Sequence, residues 1–243
     1  MGVAVSRLRP FFSYYGSKWR LAPRYPPPVH GTIVEPFAGS ACYSLTYPDR
    51  RVRLFDKSKH IVGTWRYLIG ASEAEIRALP DLGPEMLIDD LPIPQEAKWL
   101  IGWWANNAST APGRSAGAWM RSEGNSPADV WGNGVRERIA SQLHAIRHWT
   151  ITQADYRDAG DIEATWFVDP PYQGKAGKRY THGSDVLDFA ALGAWCKTRP
   201  GQTIVCENVG ADWLPFAPWR QTKGARRSSR EAIWLGGRQG ALL

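Results

Sequence analysis

The sequence is poor in several things, and each shortage excludes a class of protein. It holds three cysteines, Cys42, Cys196 and Cys206, an odd and widely spaced set. A disulfide framework is therefore not expected, and a reducing compartment is. Five histidines offer little for a metal centre. His144 and His148 are four apart, but no cysteine or carboxylate cluster completes a zinc set, so no metal is expected. No apolar run approaches the ~20 residues of a membrane span, and the first residues lack the apolar core of a secretion signal. No membrane association and a cytoplasmic protein are the corresponding expectations. Acidic residues are outnumbered, with 23 Asp and Glu against 30 Lys and Arg.

What is present is a mixed composition, 43% hydrophobic with 13 tryptophans in 243 residues. That suffices for one sizeable core, with room for an inserted subdomain, and excludes a disordered or fibrous chain. The charge is unevenly spread. Residues 1–30 carry five basic residues and no acid. Residues 31–172 carry 14 basic and 18 acidic residues, and residues 173–243 carry 11 and 5. Two basic ends around an acidic middle can form one positive face, of the kind polyanions bind. Ordinary solvated lysines and arginines would give the same counts.

Short apolar runs alternate with helical periodicity. Strands are predicted at Gly31–Val34, Arg51–Phe55, Thr165–Val168, Gly201–Cys206 and Ala232–Leu235. A helix start is predicted at Ala41–Leu45, and a helical face at Ile61, Val62, Trp65, Leu68 and Ile69. This pattern defines an α/β fold with a largely parallel sheet, whose ligands sit at the carboxyl ends of the strands. Residues 70–149 differ. They read as helical, broken by prolines and by a polar stretch from Asn106 to Asn133 of the kind that is usually functional or mobile. The domain expectation is a discontinuous catalytic domain, 1–69 and 150–243, carrying 70–149 as a helical insertion.

Asp169-Pro170-Pro171-Tyr172 directly follows the strand at Thr165–Val168. Two prolines remove two backbone donors and fix φ, so the turn is stiff and its carbonyls face outward. An exocyclic amine has two donor hydrogens, which the Asp169 carboxylate and the Pro170 carbonyl can accept, while Tyr172 stacks on the base. A rigid strand-exit turn with a buried tyrosine is the plainer reading. Glu35-Pro36-Phe37-Ala38-Gly39-Ser40 lies between a strand and a helix, where small residues let a ligand approach the backbone. Taken alone, an ordinary βα turn accounts for it. Asp56, at the next strand end, suits pairing with ribose hydroxyls. Upstream, Tyr14-Tyr15-Gly16-Ser17-Lys18 offers an aromatic face and a lysine, or simply an exposed turn.

In this order the segments resemble the Dam-type DNA adenine-N6 methyltransferases: aromatic-x-Gly-x-Lys, the Glu-Pro-Phe glycine loop, an acidic strand end, a recognition region, then Asp-Pro-Pro-Tyr. The resemblance covers residues 11–69 and 150–240, and residues 70–149 by position alone. It implies a Rossmann-like, seven-stranded methyltransferase sheet with the helical insertion as target-recognition region. It implies S-adenosylmethionine as methyl donor, bound by Tyr14, Lys18, Glu35, Pro36, Phe37, Gly39, Ser40, Asp56 and Asp169, with Asp155 and Tyr156 near its adenine. Asp169, Pro170, Pro171 and Tyr172 would be the catalytic turn. The family loop reads Phe-x-Gly-x-Gly, whereas Ala41 stands at the last position here; the cofactor is still expected to fit, and a catalytically silent DNA-binding relative is the alternative that this departure favours. Cytosine-N4 methylation is the enzymatic alternative, because that amine presents the same two hydrogens.

The implied partner is double-stranded DNA, within a bacterial or phage-infected cell, and no obligatory protein partner is evident. Lys175, Lys178 and Arg179, in a basic loop after the turn, and Arg226 and Arg227, in a later basic cluster, are the expected phosphate contacts. A solvated charge run is the other reading. Trp119 and Trp131, in the polar stretch, either touch DNA or pin that stretch to the core.

Overall fold

The computed structural model describes residues 7–83, 85–121, 130–223 and 228–237. By internal contacts the chain divides into two compact units. The first comprises the described residues up to Arg24, Gly39–Asp49 and Ser58–Ile151. The second comprises Tyr25–Ala38, Arg50–Lys57 and the described residues from Thr152 onward.

The chain forms a seven-stranded sheet of order β3-β2-β1-β4-β5-β7-β6, which belongs to the second unit except for the first two residues of β3. Its strands are β1 (Thr32–Glu35), β2 (Arg51–Asp56), β3 (Thr150–Gln153), β4 (Ala164–Val168), β5 (Gly201–Asn208), β6 (Ala217–Lys223) and β7 (Ser228–Gly236). The pairs β1–β2, β1–β4 and β4–β5 are parallel, while β7 runs antiparallel to both β5 and β6. The fold is therefore α/β with a mostly parallel sheet. β4 is buried along its whole length, as an unbroken apolar strand covered on both faces must be. Helix α6 (Phe189–Thr198) links β4 to β5, with Asp188 capping its first turn through Ala191 N–H. It covers one face of the sheet, where Leu192 and Cys196 join Val34, Trp166, Val168 and Val205 in a buried cluster.

The first unit is helical. It contains α1 (Lys59–Gly70), α2 (Glu73–Arg77), α3 (Gln95–Ala105), α4 (Ala118–Arg121) and α5 (Asn133–Gln142). Gly63 lets α3 lie close on α1, because a Cβ there would come within 2.3 Å of the Trp99 ring. Trp103 Nε1 donates to Thr64 Oγ1 at 3.0 Å across the same interface. The boundaries of this unit differ from the expected insertion. α1, assigned from the sequence to the catalytic portion, is bound into the helical unit by this tryptophan packing.

The structure bears on three further expectations and corrects the last of them. The polar stretch after α3 is held in place through residue 117: Gly113 and Gly117 N–H donate to the Gly102 and Ala105 carbonyls at 2.9 and 3.0 Å. Trp131 is a core pin, buried, with its indole N–H on the Pro80 carbonyl at 2.9 Å. The side chain of Trp119 and all of residues 122–129 lie outside the described residues. The predicted helix at Ala41–Leu45 is a single tight turn at Ser44–Thr46. Ala41, at φ 48°, occupies left-handed backbone, which a regular helix cannot accommodate.

Candidate active site

The parallel strands β1, β2, β4 and β5 all end on one edge of the sheet. Chain order reverses between β1 and β4, the position at which open α/β sheets form a crevice beyond their strand ends. Glu35 closes β1, Asp56 closes β2, and Asp169 follows β4. Glu35 and Pro36 are buried, whereas Phe37, Asp56 and Asp169 are half-buried.

The loops along this edge are stitched together. Ala38 N–H donates to the Phe55 carbonyl at 2.9 Å, and Ala154 N–H to the Asp56 carbonyl at 3.1 Å. The Phe37 ring stacks on Tyr156 at 5.6 Å between centroids. Asp56, Phe37 and Tyr156, from three distant stretches of sequence, are thereby gathered into one corner. Asp155 caps the turn that carries Tyr156. Its carboxylate is gripped by Arg157 Nε at 2.7 Å and Lys57 Nζ at 3.0 Å. Hydrogen bonds from Arg157, then the charge of Lys57, hold it far below the ordinary carboxylate range. The structure thus gives Asp155 a demonstrable part in shaping the corner.

In the first unit, Tyr14 lies on the glycine loop. A Cβ on Gly39, whose φ is +46°, would stand 3.0 Å from the Tyr14 ring. Trp65 Nε1 donates to the Gly39 carbonyl at 2.8 Å. Lys18 is buried, with Nζ on the Gly16 carbonyl at 3.2 Å. Ser17 Oγ and Ser40 Oγ lie 3.1 and 3.3 Å from Cys42 Sγ, so this thiol ties the Tyr-Gly-Ser-Lys turn to the glycine loop. Tyr14, Lys18, Gly39 and Ser40 thus belong to one unit, and Glu35, Pro36 and Phe37 to the other. The partition passes through the Glu35–Ser40 loop itself.

The Asp169-Pro170-Pro171-Tyr172 turn is pinned by residues that sequence reasoning missed. Tyr172 is buried, and its hydroxyl donates to Glu231 Oε2 on β7 at 2.7 Å. Gln173 N–H donates to Glu207 Oε1 on β5 at 2.5 Å. The other Glu207 oxygen accepts Asn208 N–H at 2.5 Å, and Trp213 Nε1 approaches Oε1 at 3.3 Å. Burial pushes the Glu207 carboxyl up to about 7, against the pull of these donors and with help from Asp169. Burial likewise raises the Tyr172 hydroxyl well above its ordinary value, with the Asp169 charge acting in the same direction. The one available sequence signal was an acid inside each of two apolar strands, Cys206-Glu207-Asn208 and Glu231-Ala232-Ile233.

Beyond the turn, the loop is folded on itself. Ser184 N–H donates to the Gly177 carbonyl and Ser184 Oγ to the Gly174 carbonyl, both at 3.1 Å. Gly177 is required there, since a Cβ would meet the Tyr172 carbonyl at 1.9 Å. Lys175, Lys178 and Arg179 are exposed on this compact loop. β6 and β7 continue past the last paired residue of β5 as a two-stranded ribbon, Gln221–Lys223 against Ser228–Arg230. Arg220 and Arg230 are exposed on it. Arg226 and Arg227 lie outside the described residues.

No family model matches the chain, and no curated protein does. Among solved structures, it is similar to a conserved hypothetical protein from Streptococcus pyogenes, at 10% identity over 84% of this chain and 85% of that one. The TM-score of 0.31 is too low for that likeness to carry a fold or a function. No described helix is long and apolar enough to cross a membrane.

Proposed function

We propose that the protein transfers a methyl group from S-adenosylmethionine to the N6 amino group of adenine in DNA. The observation that carries this reading is the Asp169-Pro170-Pro171-Tyr172 turn. It stands at the carboxyl end of β4, beside the point where strand order reverses, and is held there by two buried carboxylates. A seven-stranded Rossmann-like sheet is what the resemblance implies for such an enzyme.

The residues present fit the methyl donor. Asp56, in the second unit, offers a half-buried carboxylate to sugar hydroxyls. Phe37 lends an aromatic ring in the same corner as Asp56. When bound, the donor supplies an activated methyl group. The chain supplies positioning: Asp169 and the Pro170 carbonyl accept the two N6 hydrogens and aim the nitrogen lone pair. The adenine leaves the duplex to reach them. Lys175, Lys178 and Arg179, with Arg220 and Arg230 on the ribbon, meet phosphates of double-stranded DNA. Residues 70–149 serve as the target-recognition region, and the enzyme works in the cytoplasm of a bacterial or phage-infected cell.

The test is incubation with methyl-labelled S-adenosylmethionine and unmethylated DNA, followed by digestion to nucleosides. Label in N6-methyladenine is expected. Label in N4-methylcytosine would replace the reaction with its alternative, and DNA binding without transfer would identify a silent relative.

A further inference from the structure

Pro170 and Pro171 give the turn no N–H at two successive positions, so its first backbone donors stand at Tyr172 and Gln173. Glu207 and Glu231 occupy neighbouring register positions on β5 and β7, because Asn208 pairs with Glu231 and Glu207 with Ala232. Directly paired residues share a face and successive residues alternate, so the two carboxylates project from opposite faces of the sheet. The packing agrees. Glu207 lies on the α6 side, where Trp213 reaches it and Val205 joins the buried cluster. Glu231 lies on the other side, with Tyr172, and Tyr25 packs beside Phe167 there. Both glutamates are buried, at 0% and 5% exposure.

Consecutive residues of the chain are thus held from the two sides. The Tyr172 hydroxyl is bound beneath one face and the Gln173 N–H over the other. A single anchor would leave the turn free to pivot about it; two anchors on opposite faces fix its rotation as well as its place. A buried glutamate costs stability unless its hydrogen bonds return something. Here each of the two carboxylates accepts a donor from the turn exit, Tyr172 in one case and Gln173 in the other. We infer that Glu207 and Glu231 form a two-sided clasp and are the positioning residues of the Asp169-Pro170-Pro171-Tyr172 turn, setting the direction in which it presents its acceptors.

The part played in transfer rests on the function proposed above; the clasp does not. Glu207→Ala, Glu207→Gln and Glu231→Gln are compared with wild type for kcat, for KM toward DNA, and for amide exchange at Gln173. Glutamine keeps an oxygen for the Gln173 N–H, while its amide NH2 turns toward the Asn208 N–H. Glu207→Ala is expected to lower kcat by about a hundredfold, the scale of an ångström-sized misplacement, with KM little changed, and Glu207→Gln to recover most of it. Glu231→Gln keeps an acceptor for Tyr172 and is expected to stay near wild type. A loss confined to KM, or an alanine variant as active as wild type, overturns the positioning role. Should wild type transfer no methyl group, the proposed function fails, and exchange decides the clasp. Slow exchange at Gln173 that becomes fast in Glu207→Ala but not in Glu207→Gln upholds it; equal exchange in all three overturns it.

Discussion

The Tyr172 hydroxyl donates to Glu231 Oε2 at 2.7 Å, joining residues 59 positions apart in a buried hydrogen bond. Tyr172 ends the motif at the carboxyl end of the sheet, and Glu231 sits on the strand that reverses the sheet's direction. The bond makes the motif part of the tertiary core.

Tyr172→Phe removes the donor and keeps the ring. A hydrogen bond to a charged group contributes about 1.5–3 kcal/mol, and a loss of that size is expected in denaturant titration. A change below about 0.5 kcal/mol would show that the bond adds no stability.

Burial of Glu207 should make the protein's stability depend on pH. The folded pKa of Glu207, about 7, lies above the 4.5 of the free side chain. Between those values the folded state keeps a proton that the unfolded state has released, so stability falls as pH rises through that window and then levels off. The change is on the order of 3 kcal/mol. Glu207→Gln should abolish this slope, measured by unfolding at about pH 5 and about pH 8.

Ala41 sits at φ 48°, where a Cβ costs roughly 1–2 kcal/mol. Ala41→Gly relieves that strain but removes a buried methyl group worth about 0.8 kcal/mol, so stability should shift by less than about 1 kcal/mol. Ala41→Val places a β-branched residue in the same backbone and should cost more than about 2 kcal/mol. Thermal unfolding of both variants checks this. Calorimetric titration with S-adenosylmethionine should find similar affinity in Ala41→Gly and wild type, because the loop already holds glycine-like geometry.

Asp169→Ala should lower transfer by about a thousandfold or more, as loss of a principal positioned polar group does. Unchanged circular dichroism would show the fold to be intact. Near-normal transfer would remove Asp169 from the mechanism.

Reversing Lys175 and Lys178 to glutamate should weaken DNA binding similarly across sequences. It should also flatten the salt dependence by about one unit of log–log slope for each phosphate no longer neutralised. Both lysines are exposed on a loop whose closing bonds are made by Gly174, Gly177 and Ser184. Stability should therefore stay within about 0.5 kcal/mol.

The strands legible in the sequence are those with apolar runs: β1, β2, β4, β5 and the latter half of β7. β3 and β6 escaped because they are edge strands. Thr150–Gln153 is mostly exposed, and Ala217–Lys223 opens with Pro218 and carries polar residues. An edge strand buries little, so it needs no apolar pattern to announce it. The helical pattern of α1 was legible, but not its membership of the helical unit, because nothing local shows that Gly63 faces Trp99.

Local chemistry follows from the order of residues alone. Consecutive prolines stiffen the Asp169 turn wherever it stands, and an apolar run ending in an acid puts a carboxylate at a strand end. The partners of these groups came only with the tertiary fold. It assigned Asp155 to Lys57 and Arg157, folded the basic loop onto Gly177, and brought Glu207 and Glu231 to Gln173 and Tyr172 from opposite faces of one strand pair. The pairings of Lys57 with Asp155, Gln173 with Glu207 and Tyr172 with Glu231 depend on strand register and burial, which arise when distant segments share a core, and no single stretch of sequence contains them.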